Sequence, residues 1–237
     1  MFGSWGHGLD AVARRFHGWL RARPGHPDAR RPVTLNVWEA VYFDHSLDRL
    51  TKLADLAARV GVERFVLDDG WFGSRRDDTR GLGDWVVSPE VWPDGLGPLI
   101  DHVRGLGMEF GLWVEPEMVN PDSDVARAHP EWLLGPGHDR LPVEARRQQV
   151  LNLTIPGAYA HVRDQVLAVL RENEISYLKW DQNRDLVEAG TAPGGSPAVH
   201  DQTLAAYRLM EELKVARPGL EIESCSSGGA RIDLEVL

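Results

Sequence analysis

Short apolar runs that end in acidic or polar residues recur along the chain, with helical patterns between them. Five such runs span Leu35–Glu39, Phe65–Asp69, Leu112–Glu115, Tyr177–Asn183 and Ile222–Ser226. Alternating strands and helices favour a parallel sheet covered by helices, and ligands of such sheets bind at the carboxyl ends of the strands. Because each run turns polar at that end, the sequence predicts a site at one edge of a parallel sheet.

The alternation predicts an α/β fold of the (β/α)8 TIM-barrel type that is incomplete at its C-terminal end. We expect five or six strands, at 33–38, 65–68, 108–114, 150–153, 177–180 and 220–224, and helices at 44–60, 96–106, 122–129, 156–171 and 198–216. A full barrel has about 250 residues, which 237 residues would fit only tightly. No Gly-x-Gly-x-x-Gly follows the first strand, so a dinucleotide-binding fold has no positive signal.

Two segments differ in pattern. Residues 1–32 are predicted to be a lead-in, with an amphipathic helix over 9–20 and then a linker rich in arginine and proline. Residues 33–237 are predicted to form the partial barrel. Within it, 69–93 shows no convincing helix or strand, and a connection of that length is expected to be a functional loop or a lid.

Charge and cysteine content exclude several classes of function. The formal net charge of -10 argues against a nucleic-acid surface, which requires a positive patch. Cys225 is the single cysteine, which excludes an internal disulfide and metal sites built on paired thiolates. Neither an apolar run of about 18 residues nor a leader pattern is present, so we expect no membrane span and a cytoplasmic location.

The first candidate for chemistry is Asp181, at the end of the run that starts at Tyr177. An aspartate after a strand is also a common turn former or helix cap, so the position alone decides little. Lys179 lies two residues earlier, on the same side of a strand. A neighbouring ammonium favours the charged form of a carboxylate, and we expect Lys179 to help hold the substrate of Asp181.

A second feature, the pair Asp68 and Asp69, points to a sugar ligand. Adjacent carboxylates accept hydrogen bonds from neighbouring hydroxyls, while indole faces cover the C–H side of a pyranose. A solvated loop start is the plainer interpretation of the pair. Several of the nine tryptophans support the sugar, either near strand ends or in the long loop: Trp38, Trp113, Trp180, Trp71 and Trp85.

Other catalytic classes have weaker support. No His-x-x-x-His or Glu-x-x-His pairing lies on an expected helix, and the nine histidines avoid the strand ends, so we expect no metal and no other cofactor. Ser226 follows a strand, but no Gly-x-Ser-x-Gly sequence exists. Cys225 has no evident histidine partner and is expected to line a pocket.

Taken in order, the motifs resemble those of the α-galactosidases of glycoside hydrolase family 36, within the clan of retaining α-galactosidases. They are highly specific together and run nearly from end to end. The matching stretches are Asn36-Val37-Trp38-Glu39-Ala40, Phe65-Val66-Leu67-Asp68-Asp69-Gly70-Trp71-Phe72-Gly73, Leu82-Gly83-Asp84-Trp85, Phe110-Gly111-Leu112-Trp113-Val114-Glu115-Pro116-Glu117-Met118, Lys179-Trp180-Asp181 and Glu223-Ser224-Cys225-Ser226-Ser227-Gly228-Gly229.

The resemblance implies a (β/α)8 catalytic barrel that releases terminal α-linked galactose with retention, from oligosaccharides such as raffinose or melibiose. Retention requires a carboxylate nucleophile and a second carboxyl group as acid/base. Asp181 matches the family's nucleophile. The positions that match its galactose contacts are Trp38, Asp68, Asp69, Arg146, Lys179, Asn183, Cys225 and Gly228, and the strand-end indole Trp180 is predicted to join them.

One departure limits the expected activity. The family's acid/base belongs to a Trp-x-Ser-Asp motif beyond the Cys-Ser-Ser-Gly-Gly stretch, and no such motif occurs before Leu237. Asp233 matches a different position, which we interpret as structural. A general acid contributes roughly 10²–10⁴-fold, so we expect a fragment of the barrel with weak or no activity on its own.

Two alternatives stay open at this point. One is a galactoside-binding remnant without catalysis, and the other is a transglycosylating relative of the raffinose-synthase type. In each case the expected partner is a small α-galactoside, without nucleic acid or membrane. An incomplete barrel leaves open edge strands that favour association or aggregation, so we expect this chain to be poorly soluble or to pair with another chain. Separately, we expect the intact enzyme to be a homo-oligomer.

Overall fold

A computed structural model describes residues 3–24, 26, 30–137, 140–191, 196–232 and 236. The chain divides into two units, one made of residues 1–31 with 232–237 and the other of residues 32–231. Asp233 lies outside the described residues. No described helix is both long and apolar enough to cross a membrane.

Seven α-helices and nine strands are present in the described residues. The helices are α1 Leu9–Arg21, α2 Trp38–Val41, α3 Leu47–Arg59, α4 Gly97–Gly105, α5 Asp124–Ala128, α6 Pro156–Glu172 and α7 Val199–Ala216, and a 3-10 helix spans Pro130–Trp132. The strands are β1 Thr34–Asn36, β2 Arg64–Leu67, β3 Glu109–Val114, β4 Met118–Val119, β5 Gln149–Val150, β6 Tyr177–Trp180, β7 Gly190–Thr191, β8 Ser196–Pro197 and β9 Glu221–Ser224.

The smaller unit contains α1, the helix that the apolar spacing predicts. Gly8 precedes the helix with a φ of 80°, a conformation that glycine adopts without strain. The Arg15 guanidinium lies 3.9 Å from the centroid of the Trp5 ring, and that of Arg23 lies 5.1 Å from Trp19. These cation–π contacts join α1 to its flanking residues.

The larger unit is built on a five-stranded parallel sheet in the order β1-β2-β3-β6-β9. The prediction of a parallel α/β sheet with five strands is confirmed, and β6 has the predicted limits. The possible sixth strand, expected at 150–153, is not part of this sheet. Of its residues only Val150 lies in a strand, β5, which pairs antiparallel with β4 in a separate ribbon.

The first strand is shorter than predicted because Asn36 ends it. The Asn36 Oδ1 atom accepts a hydrogen bond from the backbone N–H of Trp38 at 2.9 Å, which satisfies a free donor at the start of α2. Trp38, expected near a strand end, therefore lies in the first turn of a short helix. The side chain of Asn36 stays at the carboxyl end of β1.

Packing in the middle of the sheet requires a glycine at one position. A Cβ atom on Gly111 of β3 would lie 2.8 Å from Tyr177 Cδ1 and 2.9 Å from Val66 Cγ2. Gly111 therefore lets side chains from both neighbouring strands pack over β3. Buried apolar faces of α3, α4, α6 and α7 contribute to the core.

The long connection between β2 and α4 has no regular helix or strand, as predicted, and it carries a core of its own. Trp71, Phe72 and Trp85 are fully buried and pack with Trp113 of β3. The Trp71 Nε1 atom donates to the backbone oxygen of Trp113 at 2.9 Å. Asp84 accepts hydrogen bonds from the first N–H groups of α5, so the loop is anchored to both β3 and α5.

Candidate functional site

The carboxyl ends of β1, β2 and β6 meet at Asp68, which follows β2 directly. Its Oδ2 atom accepts hydrogen bonds from Asn36 Nδ2 at 2.6 Å and from Lys179 Nζ at 2.9 Å. Its Oδ1 atom accepts from the backbone N–H of Asp69 at 2.8 Å. Asp68 is thus a buried carboxylate that joins three strand ends, and Lys179 supplies its countercharge.

Asp69 has a different partner from its neighbour. Arg75, from the long loop, donates through Nε to Asp69 Oδ1 at 2.9 Å and through Nη2 to Oδ2 at 2.7 Å. Both side chains are buried. Burial raises the pKa of Asp69 above its ordinary value, and the Arg75 guanidinium opposes that rise. The two-pronged contact fixes the orientation of the carboxyl group.

Asp181 follows β6 and is surrounded by hydrogen-bond donors. Trp113 Nε1 lies 3.2 Å from Oδ2, and the backbone N–H of Gln182 lies 2.9 Å from Oδ1. Burial alone would raise the pKa of Asp181, but hydrogen bonds from Asn183, Trp113 and Cys225 outweigh it and hold the pKa below its usual value. Asp181 is therefore an anion at neutral pH, with 7% of its surface exposed.

Lys179 lies between the two carboxylates that follow β2 and β6. Burial alone would lower the pKa of Lys179, but attraction by Asp68, with a smaller contribution from Asp181, raises it above its ordinary value. The charge of Asp181 also acts on Asp69. These electrostatic contacts place all four groups at one edge of the sheet, as the strand endings predict.

Arg146 and Asn183 meet at the exposed side of this edge. Arg146 Nη1 donates to Asn183 Oδ1 at 3.0 Å and to Ser227 Oγ at 3.2 Å. Arg146 and Ser227 have positive φ values of 51° and 44°, a conformation that costs L-residues energy and concentrates at functional sites. Three loops therefore converge beside Asp181 through side chains that are otherwise exposed.

Cys225 and Gly228 border Asp181 from the loop after β9. The Cys225 backbone N–H donates to Trp180 O at 2.8 Å, which continues the ladder between β6 and β9. Burial, together with the negative charge of Asp181, raises the pKa of the Cys225 thiol to about 11. Gly228 has a φ of 98° and open space where a Cβ would stand. The thiol is thus a neutral donor to Asp181.

Glu115, directly after β3, completes the buried acids of this edge. Its Oε1 atom accepts from the backbone N–H of Asn183 at 2.5 Å, and its Oε2 atom lies 3.1 Å from Gln148 Nε2. Burial, followed by repulsion from Asp181, raises the pKa of Glu115 to about 8. The described residues contain no group of three or more His, Cys, Asp or Glu side chains placed to hold a metal ion.

Comparison with known proteins agrees with this arrangement of strand ends. A family model described as melibiase matches residues 1–237. The chain belongs to the melibiase family. The resemblance to the α-galactosidases of glycoside hydrolase family 36 is thereby confirmed, since proteins and crystal structures of that description match this melibiase chain.

Relatives of this melibiase chain are considerably longer. An α-galactosidase of Escherichia coli is 48% identical over 233 residues, which cover 97% of the chain and 32% of that protein. The α-galactosidase AgaA of Geobacillus stearothermophilus is 41% identical over 234 residues, covering 95% and 32%. The crystal structure of AgaB from the same organism superposes with a TM-score of 0.92 at 41% identity, covering 98% of the chain and 33% of AgaB. The chain therefore spans about a third of the length of these relatives.

Three tryptophans of the melibiase chain are not brought to the site. Trp180 is adjacent to Lys179 and so points to the opposite face of β6. It is fully buried, and its Nε1 atom donates to Glu117 Oε1 at 2.9 Å, which leaves it no free surface for a sugar contact. Trp71 and Trp85 are also fully buried. Trp38 is half-buried and packs edge-on against Tyr42 and Phe43.

Three residues that contribute to this site were not singled out from the sequence: Asn36, Glu115 and Arg75. Asn36 and Glu115 belong to motifs that end strands, so the rule that drew attention to Asp68 and Asp181 also covers them. Trp113 was expected as a sugar-facing indole, and its contact with Asp181 was not predicted. Arg75 has no such signal because it lies in an irregular loop among other charged residues. Only the fold brings its guanidinium to Asp69.

Proposed function

We propose that this chain carries the nucleophile and most of the sugar pocket of a retaining α-galactosidase. Its parallel sheet would then be part of a (β/α)8 barrel. The observation that carries the proposal is the arrangement of charges at one edge of the sheet. An anionic Asp181, which accepts hydrogen bonds from four donors, lies beside the ion pair of Lys179 and Asp68.

The roles follow from charge and hydrogen-bonding capacity. Asp181 would attack the anomeric carbon of an α-galactoside, form a bond between C1 and a carboxylate oxygen, and displace the glycosidic oxygen with its electron pair. Lys179, Asp68 and Asp69 would bind the hydroxyls of the sugar. Arg146 and Asn183 would border the same pocket from the exposed side, with Cys225, Gly228 and Trp38.

Named relatives support the substrate class. Crystal structures of variants of Geobacillus stearothermophilus AgaA are complexes with raffinose and with stachyose. The two structures match 98% and 97% of this chain, respectively. A structure of Thermus thermophilus TtGalA, 26% identical with a TM-score of 0.66, is a complex with p-nitrophenyl α-D-galactopyranoside. We propose α-galactosides of this kind as the substrates of the protein to which the chain belongs.

Covalent labelling tests the assignment of Asp181. The purified protein is incubated with p-nitrophenyl α-galactoside, whose leaving group departs without protonation, and is quenched in acid. We expect one hexosyl residue on the peptide that contains Asp181, and none in Asp181→Asn. Asp164→Asn, at an exposed acid of α6, is the matched control and should still be labelled.

Three results would change the proposal. Labelling at another carboxylate would remove Asp181 from its role. Calorimetric binding of galactose without any release of p-nitrophenol would instead support a galactoside-binding protein without catalysis. Transfer of galactose to added oligosaccharides in preference to water would indicate a transglycosylase.

A further inference from the structure

Glu115 is a buried acid for which the proposed reaction has no role, although it contacts the turn that carries Asp181. Its side chain has no exposed surface. Its hydrogen-bond partners are the backbone N–H and the side-chain amide of Asn183 and the amide of Gln148. All three partners are neutral. An isolated carboxylate in such a place would have to lose its hydration without gaining a countercharge, which is costly.

The nearby Glu117 shows what a charged arrangement looks like at equal burial. Its Oε1 atom accepts from Arg231 Nη1 at 2.5 Å and from Trp180 Nε1 at 2.9 Å. A guanidinium therefore balances Glu117 directly. The two acids are only two residues apart in one motif, but their surroundings differ. Those of Glu115 favour a neutral carboxylic acid.

Charged groups of both signs face Glu115 from the elements packed around it. Asp181 after β6 and Asp69 after β2 are both negative and oppose its ionisation. Arg75 is positive, but its Nε and Nη2 atoms are bound to Asp69. Repulsion by Asp181 and burial therefore both favour the neutral form of Glu115. The raised pKa of about 8 agrees with these surroundings.

Gln148 offers an acceptor for the proton. With its Nε2 atom toward Glu115, the Oε1 atom of Gln148 is buried and has no hydrogen-bond partner. Rotating the amide by half a turn exchanges its oxygen and nitrogen. The unpartnered oxygen then lies about where Nε2 is, in reach of Glu115 Oε2, and accepts from a carboxylic acid O–H.

We propose that Glu115 is a neutral carboxylic acid that donates its proton to Gln148 Oε1 and positions the Asp181–Asn183 turn without placing a second negative charge beside Asp181. Glu115 is a positioning residue, since it acts through Asn183 and Asp181. The inference rests on the proposed function only for the role of Asp181. Ionisation of Glu115 would reverse the hydrogen bond with Gln148, whose Nε2 would then donate to the carboxylate, and would place a second negative charge beside Asp181. Repulsion between the two carboxylates would then disturb the geometry of the Asp181–Asn183 segment at alkaline pH.

Infrared spectroscopy of protein with carboxyl-labelled glutamate tests the protonation state without reference to catalysis. At neutral pH we expect the isotope-shifted band of a protonated carboxyl group. Glu115→Gln should remove it, and the matched control Glu117→Gln should keep it. The band should disappear reversibly as the pH rises through about 8. Its persistence in Glu115→Gln, or its absence from the parent protein, would overturn the inference.

Sugar binding tests the positioning role. Affinity for galactose is measured by calorimetry across pH for the parent, Glu115→Gln and Glu115→Ala. We expect the alanine variant to lose affinity roughly tenfold, the size of one buried hydrogen bond, and the glutamine variant to restore it. The parent should lose galactose affinity at alkaline pH, and Glu115→Gln should not.

The two proposals fail in different ways. The positioning role of Glu115 would be overturned if Glu115→Gln still lost galactose affinity at alkaline pH. It would also be overturned if Glu115→Gln bound galactose no better than Glu115→Ala. If the infrared band behaves as expected but galactose binds at no pH, the protonation of Glu115 is established and the galactosidase proposal is overturned.

Discussion

The ammonium group of Lys179 lies 2.9 Å from Asp68 Oδ2, although the two residues are 111 positions apart. They come from β6 and from the end of β2, with β3 between them. Side-chain exposure is 19% for Lys179 and 4% for Asp68. The ion pair therefore crosses the sheet beneath the proposed sugar site, where water screens it poorly.

The first prediction concerns the strength of this pair. Removing one partner of a buried ion pair costs about 3–5 kcal/mol, because the other charge is left uncompensated. We expect Lys179→Met or Asp68→Asn alone to lower the free energy of unfolding by an amount of that order. The double variant should lose less than the sum, and galactose affinity should fall in all three.

An exposed pair on α3 is the matched control. Lys52 Nζ lies 2.7 Å from Asp48 Oδ2, with exposures of 71% and 75%. The same double-mutant cycle there should give a coupling of at most about 0.5 kcal/mol. Equal couplings at the two sites, measured by urea unfolding, would contradict the interpretation of Lys179 and Asp68 as a poorly screened pair.

A second prediction concerns the hydrogen bond from Trp113 to Asp181. Its Nε1–H favours the charged carboxylate and so contributes to the low pKa of Asp181. Trp113→Phe removes that donor, and the pKa of Asp181 rises. If Asp181 is the nucleophile, turnover requires its ionised form, so the acid limb of the pH–rate profile for p-nitrophenyl α-galactoside should move to higher pH.

Trp85→Phe controls for the loss of indole volume. Trp85 packs in the same aromatic group, with its centroid 6.1 Å from that of Trp113, but its buried Nε1 atom has no partner. This variant should change stability and leave the acid limb in place. A shift of equal size in both variants would show that packing, and not the donor, sets the acid limb.

A third prediction concerns Cys225, whose pKa is raised to about 11. The thiolate is the reactive form, so alkylation by iodoacetamide at neutral pH should be slower than that of glutathione by roughly a hundredfold or more. Because burial and then the charge of Asp181 contribute to the raised pKa, Asp181→Asn should speed the reaction. As Cys225 is the single cysteine, mass spectrometry follows it directly. Fast labelling of the parent would disprove the prediction.

The sequence predicted the strands and the acids of the site because both follow local rules. A strand such as β6 is an apolar run with a polar ending, and parallel strands bring their endings to one edge. Asp68, Lys179 and Asp181 could therefore be placed together. Trp180 could not be placed by the same rule, since alternation along a strand sends it to the face opposite Lys179.

Other features depend on contacts that no local pattern encodes. Arg75 reaches Asp69 only because the long loop folds back on its own core of Trp71 and Trp85. Both indoles are predicted from the sequence to support sugar binding, but they are buried in that core. The neutral surroundings of Glu115 likewise arise from three separate segments. A local sequence pattern shows which residues are close along the chain. The burial of a side chain and the charges around it depend on how the whole chain packs.

The last prediction concerns the dependence on the leaving group. If these 237 residues supply the nucleophile without an acid/base, bond breaking will depend on how well the departing oxygen carries negative charge. p-Nitrophenolate departs unaided, whereas the alkoxide of raffinose needs a proton. We expect the chain by itself to release p-nitrophenol but to hydrolyse raffinose slower by a factor of roughly 10²–10⁴.

Azide provides the decisive measurement, because it attacks the galactosyl–enzyme bond without needing a general base. It should accelerate turnover of p-nitrophenyl α-galactoside and yield α-galactosyl azide, with the Asp181 carboxylate released as the C1–oxygen bond breaks. Retention at C1 follows from two inversions. In Asp181→Gly, direct attack by azide should give the β-azide instead. Raffinose hydrolysis as fast as aryl release, unaffected by azide, would show that an acid/base is present among these residues.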